Sequence, residues 1–403
     1  MKAVLLCAGK STRTYPLTLT RPKPLLKVAN KTILQHNLEQ LHATRLIKEV
    51  ILIVGYKKEM IAFWIKEHQK KFDCVIKTVV QEEQRGTADA LQSARSLLGD
   101  ASFLLMNGDD LFFAEDIKKL LASKSEHALL VHPVAKPEQY GIVLINPRDK
   151  KLVKAIVEKP QKPIGNLAST GCYVFSPSIF DIGDVEPSSR GEFELPDLIN
   201  FHCDRGEVGF VQAKHWFPIT YPWDLLPANA YLLSLLKKKI AGKLEKHVTL
   251  KSIVVVGKGT LIKSGVYIEG PVLIGEHCTI GPNAYIRPGT TIGNHCKIGH
   301  EVEIKNSILF DNTKIPHLNY LGDSVLGEDV NFAAGTITAN VRHDKGVIRS
   351  SVKKELVETG HEKLGTIIGD HVKLGIKTLI YPGRKIWPNK TTLPGEVVKQ
   401  DVE

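Results

Sequence analysis

Two hydrophobic rhythms divide this chain. Through the first ~230 residues, short apolar runs alternate with amphipathic stretches. VLLCAG, VILIVGY, FLLMNGD and HALLVHPV each end in turn residues and read as buried strands. Between them, segments such as Leu34 to Leu41 and Asp116 to Leu121 carry helical spacing. Strands alternating with helices predict an α/β, largely parallel, Rossmann-like sheet with ligands at the strand carboxyl ends.

From about Val254 the period becomes six. Val256, Ile262, Ile268, Ile274, Ile280, Ile286, Ile292, Ile298 and Ile304 are spaced six apart, and Ile368, Leu374, Ile380 and Ile386 resume the series. A fixed six-residue aliphatic repeat is the mark of a parallel β-helix, in which three hexapeptides make one triangular coil. Small residues two before the anchor, Cys278, Ala284 and Cys296, suit its narrow interior. These rhythms predict a first domain over residues 1–229, a connecting helix opened by Pro222-Trp223-Asp224 in YPWDLLPANAYLLSLLKKKI with the linker helix placed at 230–250, and a left-handed β-helix over 251–403. His277, His295 and His300 supply no third metal ligand at matching spacing, and they read as surface rungs.

Composition narrows the partners. The net charge of +11 suits polyphosphate substrates as well as nucleic acid, but no basic run interleaved with aromatics appears. Nucleic acid is therefore not expected. No stretch approaches the ~18 consecutive apolar residues that a membrane span needs. The six cysteines form no C-x-x-C spacing, so reduced thiols in a cytoplasmic compartment are the expectation.

The first strand runs into Ala8-Gly9-Lys10-Ser11-Thr12-Arg13, followed by Arg21-Pro22-Lys23-Pro24-Leu25. A small turn after a buried strand lets backbone N–H groups approach phosphates, while Arg13 and Lys23 supply cations. The stretch AGKSTRTYPLTLTRPKPLLKVANKTIL resembles the opening signature of sugar-phosphate nucleotidylyltransferases. QEEQRGTADAL resembles the base-reading segment of the bacterial bifunctional N-acetylglucosamine-1-phosphate uridyltransferases. The resemblance implies that Ala8, Gly9, Gln81, Gly86 and Thr87 hold the nucleotide. It also implies that Asp109 in NGDD holds Mg²⁺, and that Gly141, Glu158, Lys159 and Thr170 hold the sugar phosphate. In-line attack of the sugar-phosphate oxygen on a nucleotide α-phosphorus is then assisted by Arg13, Lys23 and the metal.

The interruption of the six-residue ladder carries a second likeness. KIPHLNYLGDSVLGEDVNFAAGTITAN, with Arg287 and Lys305 before it, resembles the acetyltransferase site of the same bifunctional family. By that resemblance His317 is the general base, and Arg287, Lys305, Tyr320, Asn331 and Asn340 hold an amino-sugar phosphate. Acetyl-CoA lies near Ala334 and Gly335 on the β-helix wall of a homotrimer. A neutral imidazole suits the base role because histidine ordinarily titrates near ~6.5, and N–H groups of the Ala333-Ala334-Gly335 stretch suit an oxyanion.

The chain departs from the bacterial pattern in VRHDKGVIRSSVKKELVETGHEKLG and in PWDLLPANAYLL, where it is closer to archaeal bifunctional sugar-1-phosphate nucleotidylyltransferase/acetyltransferases. UTP or dTTP, with N-acetylglucosamine or glucose 1-phosphate, and glucosamine or galactosamine 1-phosphate for acetylation, all remain open. So do two rivals: a monofunctional nucleotidylyltransferase whose β-helix serves oligomerisation, and a silent scaffold. Where relatives carry W-x-D-x-G with a second magnesium ligand, this chain has Trp216-Phe217-Pro218-Ile219-Thr220. Proline cannot ligate, which leaves Asp109 as chief anchor, with Asp110 or Asp224 as helpers.

Overall fold

The computed structural model describes residues 1–182, 187 and 191–403. The chain forms two compact units. Met1–Lys10, Pro22–Leu25 and Ile33–Pro218 make the first; Ser11–Arg21, Leu26–Thr32 and Ile219–Glu403 make the second.

The first unit is built on a nine-stranded sheet. Its main path runs Val208–Gln212, His127–Pro133, Leu167–Phe175, Phe103–Asn107, Lys2–Cys7, Glu49–Val54 and Val75–Val80. Leu167–Phe175 is antiparallel to both neighbours, and the other adjacent pairs on the path are parallel. Gly141–Ile145 and Val153–Glu158 add an antiparallel pair at the side of Leu167–Phe175. The central strands are near-continuous apolar runs because both faces are covered: Ala3, Leu5, Val50 and Leu52 belong to one core cluster, Val4, Ile51 and Ile53 to another.

The second unit is the left-handed parallel β-helix, with faces of eight, seven and eight short strands. The anchors from Val256 to Ile304 are at most 1% exposed, and full burial of such a side chain is worth ~1.5–3 kcal/mol. Two sequence expectations are corrected. Residues 230–250 are not a linker helix: the helix is Leu225–Ser234, and Lys239–Ile240, Lys243–Leu244 and Thr249–Lys251 already pair with the next coil. Their charged, exposed residues hid them, since an end coil buries little. Nor does the ladder break after Ile304. Ile292 pairs with Leu309, Ile298 with Ile315 and Ile304 with Leu321, each a step of seventeen where the earlier coils step eighteen. A corner one residue shorter shifts the phase while the anchors stay buried. The true excursion lies between Thr338 and Thr366, where Arg349–Val352 and Glu355–Glu358 form a hairpin.

A first domain over residues 1–229 also needs revision, because Ser11–Arg21 and Leu26–Thr32 are held within the second unit. Arg21, 7% exposed, is ion-paired to Asp370 and, at 3.0 Å, to Glu328. Thr20 Oγ1 donates to Asp370 (2.6 Å), Lys27 pairs with Asp311, and Asn30 Nδ2 donates to the Ile292 carbonyl (2.8 Å). Arg21 is thus a structural cation of the second unit. Among the described residues no helix is long and apolar enough to cross a membrane.

Candidate active sites

In the first unit the parallel strands Lys2–Cys7 and Phe103–Asn107 end side by side, so the turns that follow them meet. Gly108 N–H donates to the Leu6 carbonyl (2.9 Å), and a Cβ at Gly108 would stand 2.3 Å from Cys7 Sγ. Only glycine lets the two turns approach this closely. Asp109 follows. Its carboxylate meets Lys23 Nζ at 2.9 Å, and Asp110 lies 3.8 Å from the same ammonium. Burial, and then Asp109, push the Cys7 thiol well above its ordinary range, so it stays protonated. The Ala8 carbonyl accepts from Tyr56 N–H and from Gln84 Nε2, which shapes the turn at Ala8 and Gly9.

Gln81 is 7% exposed, and its amide nitrogen donates to the Gly86 carbonyl (3.1 Å) and to Asp89 (2.8 Å). Both amide hydrogens are spent, which leaves Oε1 as an acceptor, the group a pyrimidine N–H needs. Gly86 has φ +126°, and a Cβ there would lie 2.3 Å from the Phe193 carbonyl oxygen. Thr87 opens the helix Thr87–Ser93, and its hydroxyl accepts from Leu195 N–H (3.0 Å).

Gly141 and Glu158 are direct partners across an antiparallel pair, and Glu158 meets Lys159 at 3.1 Å. Thr170 differs from expectation. It is 1% exposed and donates to the Leu130 carbonyl (3.0 Å) at an irregularity of its strand, so its hydroxyl serves the fold.

The carboxylates of the Asp109-Asp110 turn offer the hard oxygen donors Mg²⁺ prefers. Leu111 and Phe217 form an antiparallel bridge (N···O 3.0 and 3.3 Å), which brings Pro218 level with Asp110. The position that would complete a carboxylate set is therefore a proline. Asp224 is engaged elsewhere: its carboxylate caps the N–H groups of Thr220 and Tyr221 at 2.8 and 2.7 Å. Its carboxylate is therefore committed to the backbone, where the sequence led us to expect a helper for the metal. Arg13 is an exposed residue of the turn Thr12–Thr14, also in the second unit.

The β-helix gathers another polar group. Tyr285, Glu303 and Tyr320 stand in register on successive coils, as do Lys305 and Gly322, with Arg287 level with Lys305. Arg287 pairs with Glu303 at 2.8 Å. At the centre is Asp323, 3% exposed, which the sequence reading missed although it lies in the LGD of the quoted motif. It accepts from Asn306 (2.7 Å) and Asn340, and pairs with Lys305 at 3.4 Å. Asn340 also reaches the Tyr320 hydroxyl (3.3 Å). Burial, and then Asp323, raise the Tyr320 phenol above its ordinary value, so it remains a donor.

His317 ends the strand Lys314–His317, and Tyr320 begins Tyr320–Gly322, so the histidine marks the corner between two faces. It is exposed and in register with His300 of the preceding coil. Asn331 lies on the histidine's face, paired with Lys314, outside the Asp323 group. The Ala334 carbonyl accepts from Lys377 N–H (2.8 Å), and Gly335 turns the corner at φ +76°. None of the described hydrogen bonds takes the N–H of Ala334 or Gly335.

Comparisons with known proteins agree with this division. The Nucleotidyl transferase family profile matches residues 2–234, and the GMPPB C-terminal domain profile matches 268–400. A Methanococcus maripaludis protein named bifunctional protein GlmU is 41% identical over 100% of this chain and 96% of its own length. A Sulfurisphaera tokodaii protein named bifunctional sugar-1-phosphate nucleotidylyltransferase/acetyltransferase is 37% identical, over 100% of this chain and 98% of its own. A Bacillus anthracis crystal structure described as a glucose-1-phosphate thymidylyltransferase is 26% identical, with a TM-score of 0.52, over 59% of this chain and 98% of its own. The chain belongs to the nucleotidyl transferase family, in its branch of full-length archaeal bifunctional nucleotidylyltransferase/acetyltransferases.

Proposed function

We propose that the protein performs two transfers: a nucleotidyl group from UTP or dTTP to a sugar 1-phosphate, and an acetyl group from acetyl-CoA to an amino-sugar 1-phosphate. The observation that carries this reading is the polar group around Asp323, which a β-helix serving only oligomerisation has no need to build.

In the first unit Gln81 Oε1 accepts the pyrimidine N–H, while Gly86 and Thr87 shape the base pocket. The sugar-phosphate oxygen attacks the α-phosphorus in line and pyrophosphate leaves. Lys23 spreads the developing charge, and Gly141, Glu158 and Lys159 position the sugar. Asp109, with substrate phosphates, would hold Mg²⁺, which supplies charge neutralisation at the phosphates.

In the second unit Arg287, Lys305 and Tyr320 bind the phosphate, and His317 takes a proton from the attacking amine. The amine adds to the thioester carbonyl, the N–H groups of Ala334 and Gly335 hold the oxyanion, and the CoA thiolate departs. His317→Ala is expected to lower acetyl transfer by ~10²–10⁴-fold and to leave pyrophosphate release unchanged; full acetyl transfer in the variant would remove His317 from the reaction. A homotrimer fits a regular β-helix face, and light scattering of the intact chain tests it.

Pro218 favours one rival, a silent first unit. Pyrophosphate release titrated against Mg²⁺, for wild type and Asp109→Ala, decides between them. We expect activity with a raised Mg²⁺ requirement, and no release at saturating Mg²⁺ with any of the sugar phosphates defeats that half of the proposal.

A further inference from the structure

One polar cluster of the first unit has no part in either transfer. His127 begins the strand His127–Pro133; His202 lies in the last turn of the helix Leu195–Asp204; Glu207 follows that helix and precedes Val208–Gln212. The backbone fastens the three together: His127 N–H donates to the Glu207 carbonyl (3.1 Å), and Glu207 N–H to the His202 carbonyl (3.2 Å). Both histidines are buried, at 0% and 1% exposure, with ring centroids 4.2 Å apart.

The nitrogen chemistry is specific. His202 Nδ1 lies 2.7 Å from the Glu207 carboxylate. An ionised carboxylate only accepts, so Nδ1 carries the hydrogen and Nε2 presents a lone pair. That Nε2 is buried and without a hydrogen-bond partner, and so is His127 Nδ1. His127 Nε2 is the nitrogen engaged elsewhere, 3.3 Å from the Ser178 hydroxyl. Two ring nitrogens are thus left without partners in a desolvated site, where an unmet polar atom costs ~1–3 kcal/mol. One ligating atom from each of the three residues lies within 4.8 Å of the others. Imidazole nitrogens backed by a carboxylate are the donors that borderline divalent metals select.

We propose that His127, His202 and Glu207 form a binding site for a zinc-class divalent metal ion, structural in role. His127 Nδ1 and His202 Nε2 are the nitrogen ligands, and Glu207, its side chain 29% exposed, swings or bridges to complete the set. The site is distinct from the Asp109 turn. His127–Pro133 and Phe103–Asn107 both run antiparallel to Leu167–Phe175, so the start of the first strand and the end of the second lie at opposite ends of the strands. A bound ion would pin the helix Leu195–Asp204 to the sheet.

The test is metal uptake by the full-length protein after chelator treatment, using Zn²⁺ by equilibrium dialysis and Co²⁺ by its visible absorbance. One tight ion per chain is expected, with a rise in thermal midpoint on adding Zn²⁺. Glu207→Gln, at a partly exposed position, is expected to weaken uptake by ~10–100-fold, and His127→Asn to abolish the cobalt spectrum. His277→Ala, which removes one of two stacked surface histidines (5.2 Å between centroids), and Asp109→Asn should leave that ion in place. The proposal is overturned if the stripped protein takes up no ion. It is equally overturned if the ion disappears in His277→Ala or Asp109→Asn but survives Glu207→Gln, or if Glu207→Gln binds as tightly as wild type.

Discussion

Asp323 shows what a motif match leaves out. The sequence likeness drew attention to the cations and amides beside it, but not to the buried carboxylate that orients them. It binds Lys305, Asn306 and Asn340 at once, and no hydrophobic periodicity announces such a hub because its polar partners lie on the two coils that flank its own. Asp323→Asn keeps the shape and removes the charge, at a cost of ~1.5–3 kcal/mol for a charged hydrogen bond. The expected result is at least a tenfold rise in KM for the amino-sugar phosphate, with pyrophosphate release unaltered; unchanged acetyl-transfer kinetics would reduce Asp323 to a packing residue. Gly86 was visible in the sequence because the motif contains it, but its reason is steric. Gly86→Ala drives a methyl group into the Phe193 carbonyl at φ +126°, and is expected to abolish nucleotidyl transfer while acetyl transfer continues, both measured on one preparation. Thr170 shows the converse: a motif gives a residue's place in the chain, and burial decides what its hydroxyl faces, here the Leu130 carbonyl.

Among the secondary elements, legibility followed burial. Strands covered on both faces were plain as apolar runs, and the six-residue ladder was plain wherever every corner had the same length. Its apparent end at Ile304 came from corners one residue short, which a fixed period cannot follow, although Leu309, Ile315 and Leu321 are all fully buried. Ile298→Ala in the middle of the ladder is expected to cost ~2–5 kcal/mol, read as a fall in denaturation midpoint. The excursion hairpin is tied down by Lys385, 1% exposed, whose ammonium donates to the carbonyls of Ser351 (2.6 Å) and Tyr15 (3.0 Å). Burial lowers this lysine from 10.5 to about 8, with Asp401 opposing the shift. Between those values the unfolded chain holds the proton and the folded chain does not, so this group makes stability rise with pH across that window. Thermal midpoints from pH 8 upward, compared between wild type and Lys385→Met, should show the wild type gaining on the variant; parallel curves would mean that the lysine is not shifted.

For the molecule as a whole, the two architectures were legible but the seam was not. Hydrophobic rhythm assigns residues by local pattern, whereas Arg21, Thr20, Lys27 and Asn30 are claimed by partners some 260 to 350 positions away in the sequence. Without its β-helix, a fragment ending at residue 229 leaves those groups unpaired. Limited proteolysis is expected to cleave it between residues 11 and 32 and to spare that stretch in the intact chain; equal resistance would show that the stretch folds by itself. The seam also sets a rule for inheritance. The chain alternates between its units five times, so no single crossover in a gene yields two self-sufficient halves. A recombinant that takes its β-helix from a relative keeps an opening signature fitted to the old one, with Arg21 and Lys27 facing whatever stands at positions 370, 328 and 311. Viable chimaeras should therefore be those in which residues 11–32 travel with the distant half, and lineages of this family should exchange the protein whole more readily than in parts.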